Sequence, residues 1–75
     1  LYGDAALTGP IVRGDLKTVA AHLETLAVAS PETLESYVVM ARATANHAVA
    51  DGRLEPRRAA ALIEILNDAW ARSAA

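Results

Sequence analysis

The sequence predicts an all-α fold, and three observations lead to that prediction. Alanine, the strongest helix former, makes up much of a hydrophobic fraction of 53%. Apolar residues recur every three to four positions along three long segments, which is the period of an amphipathic helix. Glycine and proline separate these segments, and no strand pattern is sustained. We therefore expect three main helices, at about 16–27, 31–50 and 56–72, preceded by a short N-terminal helical turn.

The N-terminal turn is predicted at residues 4–7. The triplet at residues 8–10, Thr-Gly-Pro, is predicted to end it, because glycine can cap a helix and proline cannot continue one. Residues 10–13 are then expected to form a short turn. Gly14 resets the backbone, and Asp15 is a good N-cap for the first main helix.

The second and third main helices both begin at a proline. Ser30 and Pro31 provide a cap and a favoured first residue for the second, and Gly52 follows its predicted end as a C-terminal cap. The third begins at Pro56. Residues 73–75 are predicted to be a fraying end.

Each main helix carries an apolar stripe that predicts the core. The expected core positions are Leu16, Val19, Ala20, Leu23, Leu26, Leu34, Tyr37, Val38, Ala41, Ala45, Ala48, Val49, Ala59, Leu62, Ile63, Leu66 and Trp70. Val39, Met40, Ile65 and Ala69 widen the stripes, which predicts that the second main helix is buried on two sides. A domain of 75 residues without cysteines usually needs a partner surface, so we expect either another copy of the chain or a neighbouring domain to cover it.

Composition narrows the classes of function. No apolar run approaches the roughly 20 residues of a membrane span, so we expect no membrane partner. The net charge of −2 argues against a dedicated nucleic-acid binder, and Arg53, Arg57 and Arg58 are expected to form a solvated corner. Dinucleotide, P-loop and zinc-protease motifs are missing. His22 and His47 fall on different helices, and we expect no metal site.

The connection before the first main helix holds the densest unusual chemistry. Gly9 and Gly14 can adopt rare backbone angles, Asp15 can cap the helix, and Arg13 can pair with a carboxylate or a helix C-terminus. The functional alternative is that Arg13 lines a pocket formed with a domain outside this chain.

The same segment carries a family resemblance. From Ala6 to Leu23 the sequence matches the pattern ALTGPxxRGDxxTVxxHL at every fixed position. In this it resembles pyrroline-5-carboxylate-reductase-like proteins, which pair a Rossmann-like nucleotide-binding domain with a helical C-terminal domain of unknown function related to the C-terminal domain of 6-phosphogluconate dehydrogenase. Pro31-Glu32, Tyr37 and Gly52-Arg53-Leu54 also agree.

The resemblance implies that the chain, which has no initiator Met, is a fragment (1–75) of a C-terminal helical domain. The whole protein would be a cytoplasmic NAD(P)-dependent oxidoreductase-like protein. Its helical domain would dimerise and close the active site against the Rossmann-like domain, whereas this chain alone would hold no cofactor and would not be catalytic.

The resemblance also marks eight positions. Arg13 is a candidate for binding a substrate carboxylate, Thr8 and Gly9 are candidates beside it, and His22 is a candidate proton or hydrogen-bond donor. The positions expected to have a structural role are Pro10, Gly14, Asp15 and Thr18.

Two alternatives to this function stay open. A stand-alone helical interaction module would use the wide apolar faces to bind another protein. A small DNA-binding domain would use the arginine corner, and its affinity would fall steeply with salt.

Overall fold

Four helices form the chain in a computed structural model that describes residues 4–74, with side chains from residue 8 onwards. They are α1 (Asp4–Arg13), α2 (Leu16–Ala29), α3 (Pro31–Ala50) and α4 (Pro56–Ala74). The described residues contain no strand. The all-α prediction is therefore confirmed.

Helix α1 corrects the prediction for the N-terminal segment. The helix continues through Gly9 and Pro10 to Arg13, so the triplet at residues 8–10 does not end it and residues 10–13 are not a separate turn. Pro10 has no N–H to donate within the helix. The side chain of Ile11 is fully buried, and this packing outweighs the local preference for a stop.

Ser30 joins α2 to α3 without an intervening loop. Its backbone N–H bonds the carbonyl of Leu26 at 2.8 Å, while its hydroxyl accepts the N–H of Thr33 at 3.4 Å as the N-cap of α3. Because one residue serves both helices, α2 extends to Ala29, two residues beyond the predicted end. The bounds of α3 agree with the prediction.

Gly52 ends α3 in the predicted way. With φ of +76°, its N–H bonds the carbonyl of Val49 at 3.0 Å, and the next N–H, of Arg53, bonds the carbonyl of Ala48 at 2.8 Å. These two bonds are the Schellman motif. Helix α4 then begins at Pro56 as predicted but continues to Ala74, so residues 73 and 74 are helical, whereas Ala75 lies outside the described residues.

The core lies around α3, which packs against the other three helices. Its small residues at 41, 45 and 48 are fully buried, as a close approach of neighbouring helices requires. The buried core consists of Ile11, Val19, Leu23, Leu34, Tyr37, Val38, Ala41, Ala45, Ala48, Leu54, Ala59, Leu62, Leu66 and Ala69.

Three apolar residues that were expected to be buried are exposed. Ala20 is exposed, because the buried stripe of α2 passes through Val19 and Leu23. Trp70 is 37% exposed, and the neighbouring Ala69 takes the core position expected for it. Val39 is 52% exposed, so it does not contribute to the burial of α3.

The direction of the helices brings two distant turns to one end of the bundle. The α1–α2 turn contacts the α3–α4 turn, where Arg58 donates to the carbonyl of Gly14. Helix α2 therefore runs parallel to α4 and antiparallel to α3. No helix within residues 4–74 is long and apolar enough to cross a membrane.

Candidate functional site at the α1–α2 turn

The α1–α2 turn is held by backbone hydrogen bonds and one capping side chain. The N–H of Gly14 bonds the carbonyl of Ile11 at 3.0 Å, and the N–H of Asp15 bonds the carbonyl of Pro10 at 2.8 Å, which is a second Schellman motif. Asp15 then caps α2: its carboxylate accepts the backbone N–H of Thr18 at 3.2 Å and the Thr18 hydroxyl at 2.8 Å. The structural roles expected for Gly14, Asp15 and Thr18 are thus visible as contacts.

Gly14 is required by its backbone angle and by its surroundings. Its φ is +67°, which disfavours any residue with a Cβ. A Cβ placed there would lie 2.1 Å from Cδ of Arg58 and 3.0 Å from Cδ1 of Leu54. The stem of Arg58 therefore packs directly over Gly14, and its Nη1 donates to the Gly14 carbonyl at 3.4 Å.

Arg13 lies at the end of α1 and its side chain folds back along that helix. A Cβ on Gly9 would lie 3.0 Å from Nη1 of Arg13, so the missing side chain of Gly9 leaves room for the guanidinium group. Arg13 is exposed, whereas Thr8 and Gly9 are partly buried and Pro10 is buried. The guanidinium thus lies on the surface beside Gly9, one of the two positions that the sequence analysis grouped with it.

His22 lies two turns along α2 from the Asp15 cap, on the same face as Thr18. Its Nδ1 is 3.4 Å from the hydroxyl oxygen of Tyr37 on α3. The two rings meet edge to face, with centroids 6.1 Å apart and planes at 80°. His22 is partly buried and Tyr37 is 5% exposed.

Asp15 is the electrostatic centre of this group. The pKa of its carboxyl is lowered, first by the hydrogen bond from the Thr18 hydroxyl and then by the one from the Thr18 N–H. Burial acts in the opposite direction, whereas the charges of Arg13 and His22 lower the pKa further. The two hydrogen bonds from Thr18 are therefore the main causes of the lowered pKa, and the charges of Arg13 and His22 are the smallest ones.

The end of the bundle that contains this turn is rich in cations. Five of the seven lysine and arginine residues belong to the two turns or to the first turns of α2 and α4, and they are Arg13, Lys17, Arg53, Arg57 and Arg58. Neither α2 nor α4 has an acidic residue in its first turn. Three carboxylates, Asp15, Asp51 and Glu55, lie at the same end and offset part of this charge, so the excess of cations is two.

Two of the three arginines at the α3–α4 turn have partners within the fold. Arg53 forms a 2.9 Å ion pair with Asp51, and Arg58 packs on Gly14. The nucleic-acid alternative that began from this corner stays a prediction.

No metal site appears in the part of the chain that the structure describes. Within residues 4–74, no group of three or more histidine, cysteine, aspartate or glutamate side chains could hold a metal ion. His47 lies exposed near the end of α3, whereas His22 contacts Tyr37.

The structure adds three residues that the sequence analysis did not connect with the site. Tyr37 was expected in the core and among the positions that agree with the family, and Arg58 was assigned to a separate corner. Leu54, beside Gly14, was named only among the positions that agree with the family. No linear pattern marks these contacts, because Tyr37 is 15 residues from His22 and Arg58 is 44 residues from Gly14.

The sequence matches the model of one protein family. A family model described as "Domain of unknown function (DUF2520)" matches residues 2–44, which is more than half of the chain. The matched region includes the whole α1–α2 turn, His22 and Tyr37, but it ends before the α3–α4 turn. Nothing matches among the curated proteins or among the solved structures.

Proposed function

The chain belongs to the DUF2520 family, and from that premise we propose that it is the helical, substrate-side domain of an NAD(P)-dependent oxidoreductase-like protein. It acts with a Rossmann-like domain of the same cytoplasmic protein and is not catalytic alone. The resemblance of residues 6–23 to pyrroline-5-carboxylate-reductase-like proteins supports the link to a nucleotide-binding domain.

The observation that carries the proposal is the division of roles within the matched motif. Gly14, Asp15 and Thr18 are accounted for by the turn and the helix cap. Arg13 and His22 are not needed for either, and both remain accessible, since Arg13 is exposed and His22 is only partly buried. Functional groups that are left over on a rigid turn are the ones available for a ligand.

The chemistry of the two residues fits a small acid. An exposed guanidinium can bind a carboxylate through two parallel hydrogen bonds. The imidazole of His22 can donate a hydrogen bond or a proton to a second polar group of the same molecule. The surplus of cations at this end would attract such an anion.

The described residues do not themselves fit a dinucleotide. The Rossmann site needs a glycine-rich turn between a strand and a helix, and residues 4–74 contain helices and their turns but no strand. The proposal therefore assigns the cofactor to the other domain, and this chain's residues bind and orient the substrate.

Cofactor binding tests the proposal at the level of the whole protein. NADH and NADPH are titrated into the protein that carries this chain together with its nucleotide-binding domain, and nicotinamide fluorescence is followed. We expect one or both to bind the longer protein and neither to bind the 75-residue chain. A longer protein that binds neither contradicts the proposal.

Carboxylate binding tests the role of Arg13. Acetate is expected to shift the Nε–H resonance of Arg13 more than that of Arg72, an exposed arginine on α4, and the uncharged isostere acetamide is expected to shift neither. Equal responses of Arg13 and Arg72 to acetate would show a general salt effect and no carboxylate site.

An interaction module is the second candidate, and the exposed apolar residues favour it. Val28 is 89% exposed and borders a groove between α2 and α4, whereas Trp70 is 37% exposed and borders a separate groove between the start of α3 and the end of α4. In the first proposal these surfaces form the homodimer or meet the cofactor domain. Two results together would favour the interaction module. The 75-residue chain would be a stable monomer by light scattering, and the longer protein that contains it would bind no nicotinamide cofactor.

A further inference from the structure

Tyr37 has a polar contact that a residue serving only the core would not need. Its ring is buried, with 5% of its surface exposed, while its hydroxyl reaches Nδ1 of His22 at 3.4 Å. The edge-to-face contact between the rings fixes the direction of the imidazole as well as its distance. The pair connects the buried face of α3 to the accessible face of α2.

The proton on the Tyr37 hydroxyl determines which partner donates. A neutral imidazole has one N–H donor and one acceptor nitrogen. Within the described residues the Tyr37 hydroxyl has no other hydrogen-bond partner than His22. If Nδ1 carried the imidazole proton, the hydroxyl proton of Tyr37 would find no acceptor in the described chain, whereas an unprotonated Nδ1 accepts it.

The Tyr37 hydroxyl carries its proton at neutral pH. Desolvation raises its pKa above the ordinary value of about 10, and a phenol is protonated at neutral pH even without that shift. A protonated phenol is a good donor to an imidazole nitrogen.

We infer that Tyr37 is a positioning residue, which donates its hydroxyl proton to Nδ1 of His22 and so holds the neutral imidazole as the Nε2–H tautomer. The Nε2–H then points away from Tyr37, and the site offers it as a hydrogen-bond donor to an oxygen atom of the ligand. The tautomer follows from the contact alone, whereas the ligand on Nε2 rests on the proposed function.

Imidazole NMR of the 75-residue chain tests the tautomer. Nitrogen and Cδ2 shifts are recorded for the native chain and for Tyr37→Phe, at a pH at which both histidines are neutral. Tyr37→Phe keeps the buried ring and removes only the hydroxyl. His47, which is exposed on α3, is the reference within the same spectra.

The expected result is a difference between the two histidines that disappears in the variant. In the native chain the ratio of Nε2–H to Nδ1–H tautomer should be roughly two- to twelvefold higher at His22 than at His47, the effect of one net hydrogen bond. In Tyr37→Phe the ratio at His22 should approach that at His47. The same ratio at both histidines in the native chain, or an unchanged ratio in a folded variant, overturns the inference.

A measurement on the native chain keeps the inference testable if the variant does not fold. A hydrogen-bonded Tyr37 hydroxyl exchanges slowly with water, so its proton should give a resolved resonance with a nuclear Overhauser contact to the His22 ring. Absence of that contact, together with equal tautomer ratios at the two histidines, overturns the inference. None of these readouts involves a nicotinamide, so failure of the inference is distinguishable from failure of the proposed function.

Discussion

Replacing Gly14 by alanine tests whether the two turns of the bundle are joined as the structure shows. At φ of +67°, a residue with a Cβ loses about 1–2 kcal/mol. The new Cβ would also lie 2.1 Å from Cδ of Arg58, so the arginine stem must move and its hydrogen bond to the Gly14 carbonyl is lost. Forced repacking of this kind costs about 1–3 kcal/mol. We therefore expect Gly14→Ala to destabilise the domain by about 2–4 kcal/mol, after a small offset from the less flexible unfolded chain.

Gly52 provides the matched control. Its φ of +76° is similar, but no atom of the described residues lies within 4 Å of a Cβ added there, so only the backbone term applies. Gly52→Ala should cost about 1 kcal/mol, the left-handed strain less the gain from a stiffer unfolded chain. The difference between the two variants isolates the contact with Arg58.

The substitution Gly9→Ala should change the stability in the opposite direction. Gly9 lies inside α1 without a positive φ, and the atom nearest to an added Cβ is the flexible end of Arg13. Alanine is favoured over glycine in a helix by about 0.5–1 kcal/mol, so Gly9→Ala should be neutral to stabilising. If Gly9 ended the helix, as the local sequence suggests, the same substitution would destabilise.

Thermal and urea unfolding, followed by circular dichroism, measure all three variants. For a domain of this size, 1 kcal/mol corresponds to about 4–8 °C in Tm. We expect the order of Tm to be Gly9→Ala at the top, Gly52→Ala below the native chain, and Gly14→Ala lowest. Equal losses for Gly14→Ala and Gly52→Ala would refute the packing of Arg58 on the turn, and a loss in Gly9→Ala would refute the continuous α1.

Three further predictions follow from the core and from the two shifted pKa values. Leu66→Ala, at a fully buried position, should cost about 2–5 kcal/mol in urea unfolding, whereas Val28→Ala, at an 89% exposed one, should stay within about 0.5 kcal/mol; similar losses would contradict the core assignment. Because the folded pKa of Asp15 is lowered, its contribution to the stability of the fold is present above the ordinary pKa of about 3.9 and is lost as pH falls through the folded pKa. Asp15→Asn, still a good cap, should therefore show a smaller fall of Tm between pH 6 and 2 than the native chain. Identical curves of Tm against pH would contradict this. The raised pKa of Tyr37 gives the opposite pH dependence, since its contribution to stability is complete below about pH 10 and is lost as pH rises further. Tyr37→Phe should therefore remove part of the fall of Tm at alkaline pH. An unchanged slope of Tm against pH would count against the buried phenol.

The sequence predicted the helices well where local chemistry and packing agree. Pro31 and Pro56 begin helices, Asp15 and Ser30 cap them, and Gly52 ends α3, because each of these residues acts through its own backbone or its nearest neighbours. The apolar period located most of the core for the same reason.

The predictions were wrong where a distant contact decided the outcome. Gly9 and Pro10 look like a helix end, but the burial of Ile11 extends α1 to the Schellman motif at Gly14. Trp70 is one position away from the residue that packs, and Ala69 replaces it in the core. Local propensity is a weak prior that tertiary packing overrides.

The candidate site could be predicted only in part, since its residues come from all four helices. Arg13 and His22 lie within the distinctive motif, so the sequence indicates both. Their relation to Tyr37 depends on how α3 crosses α2, which no spacing within the chain encodes.

The fold requires glycine at position 14 but not at position 9. Gly14 is demanded by its own φ and by Arg58, a residue outside the region that the family model matches. A requirement of the fold thus links the matched region to the α3–α4 turn. Neither φ nor a backbone contact requires glycine at position 9. Within the described residues, the atoms that would lie close to a Cβ there belong to the Arg13 side chain. The fold alone therefore does not require glycine at position 9, and under the proposed function the room left there serves the guanidinium of Arg13.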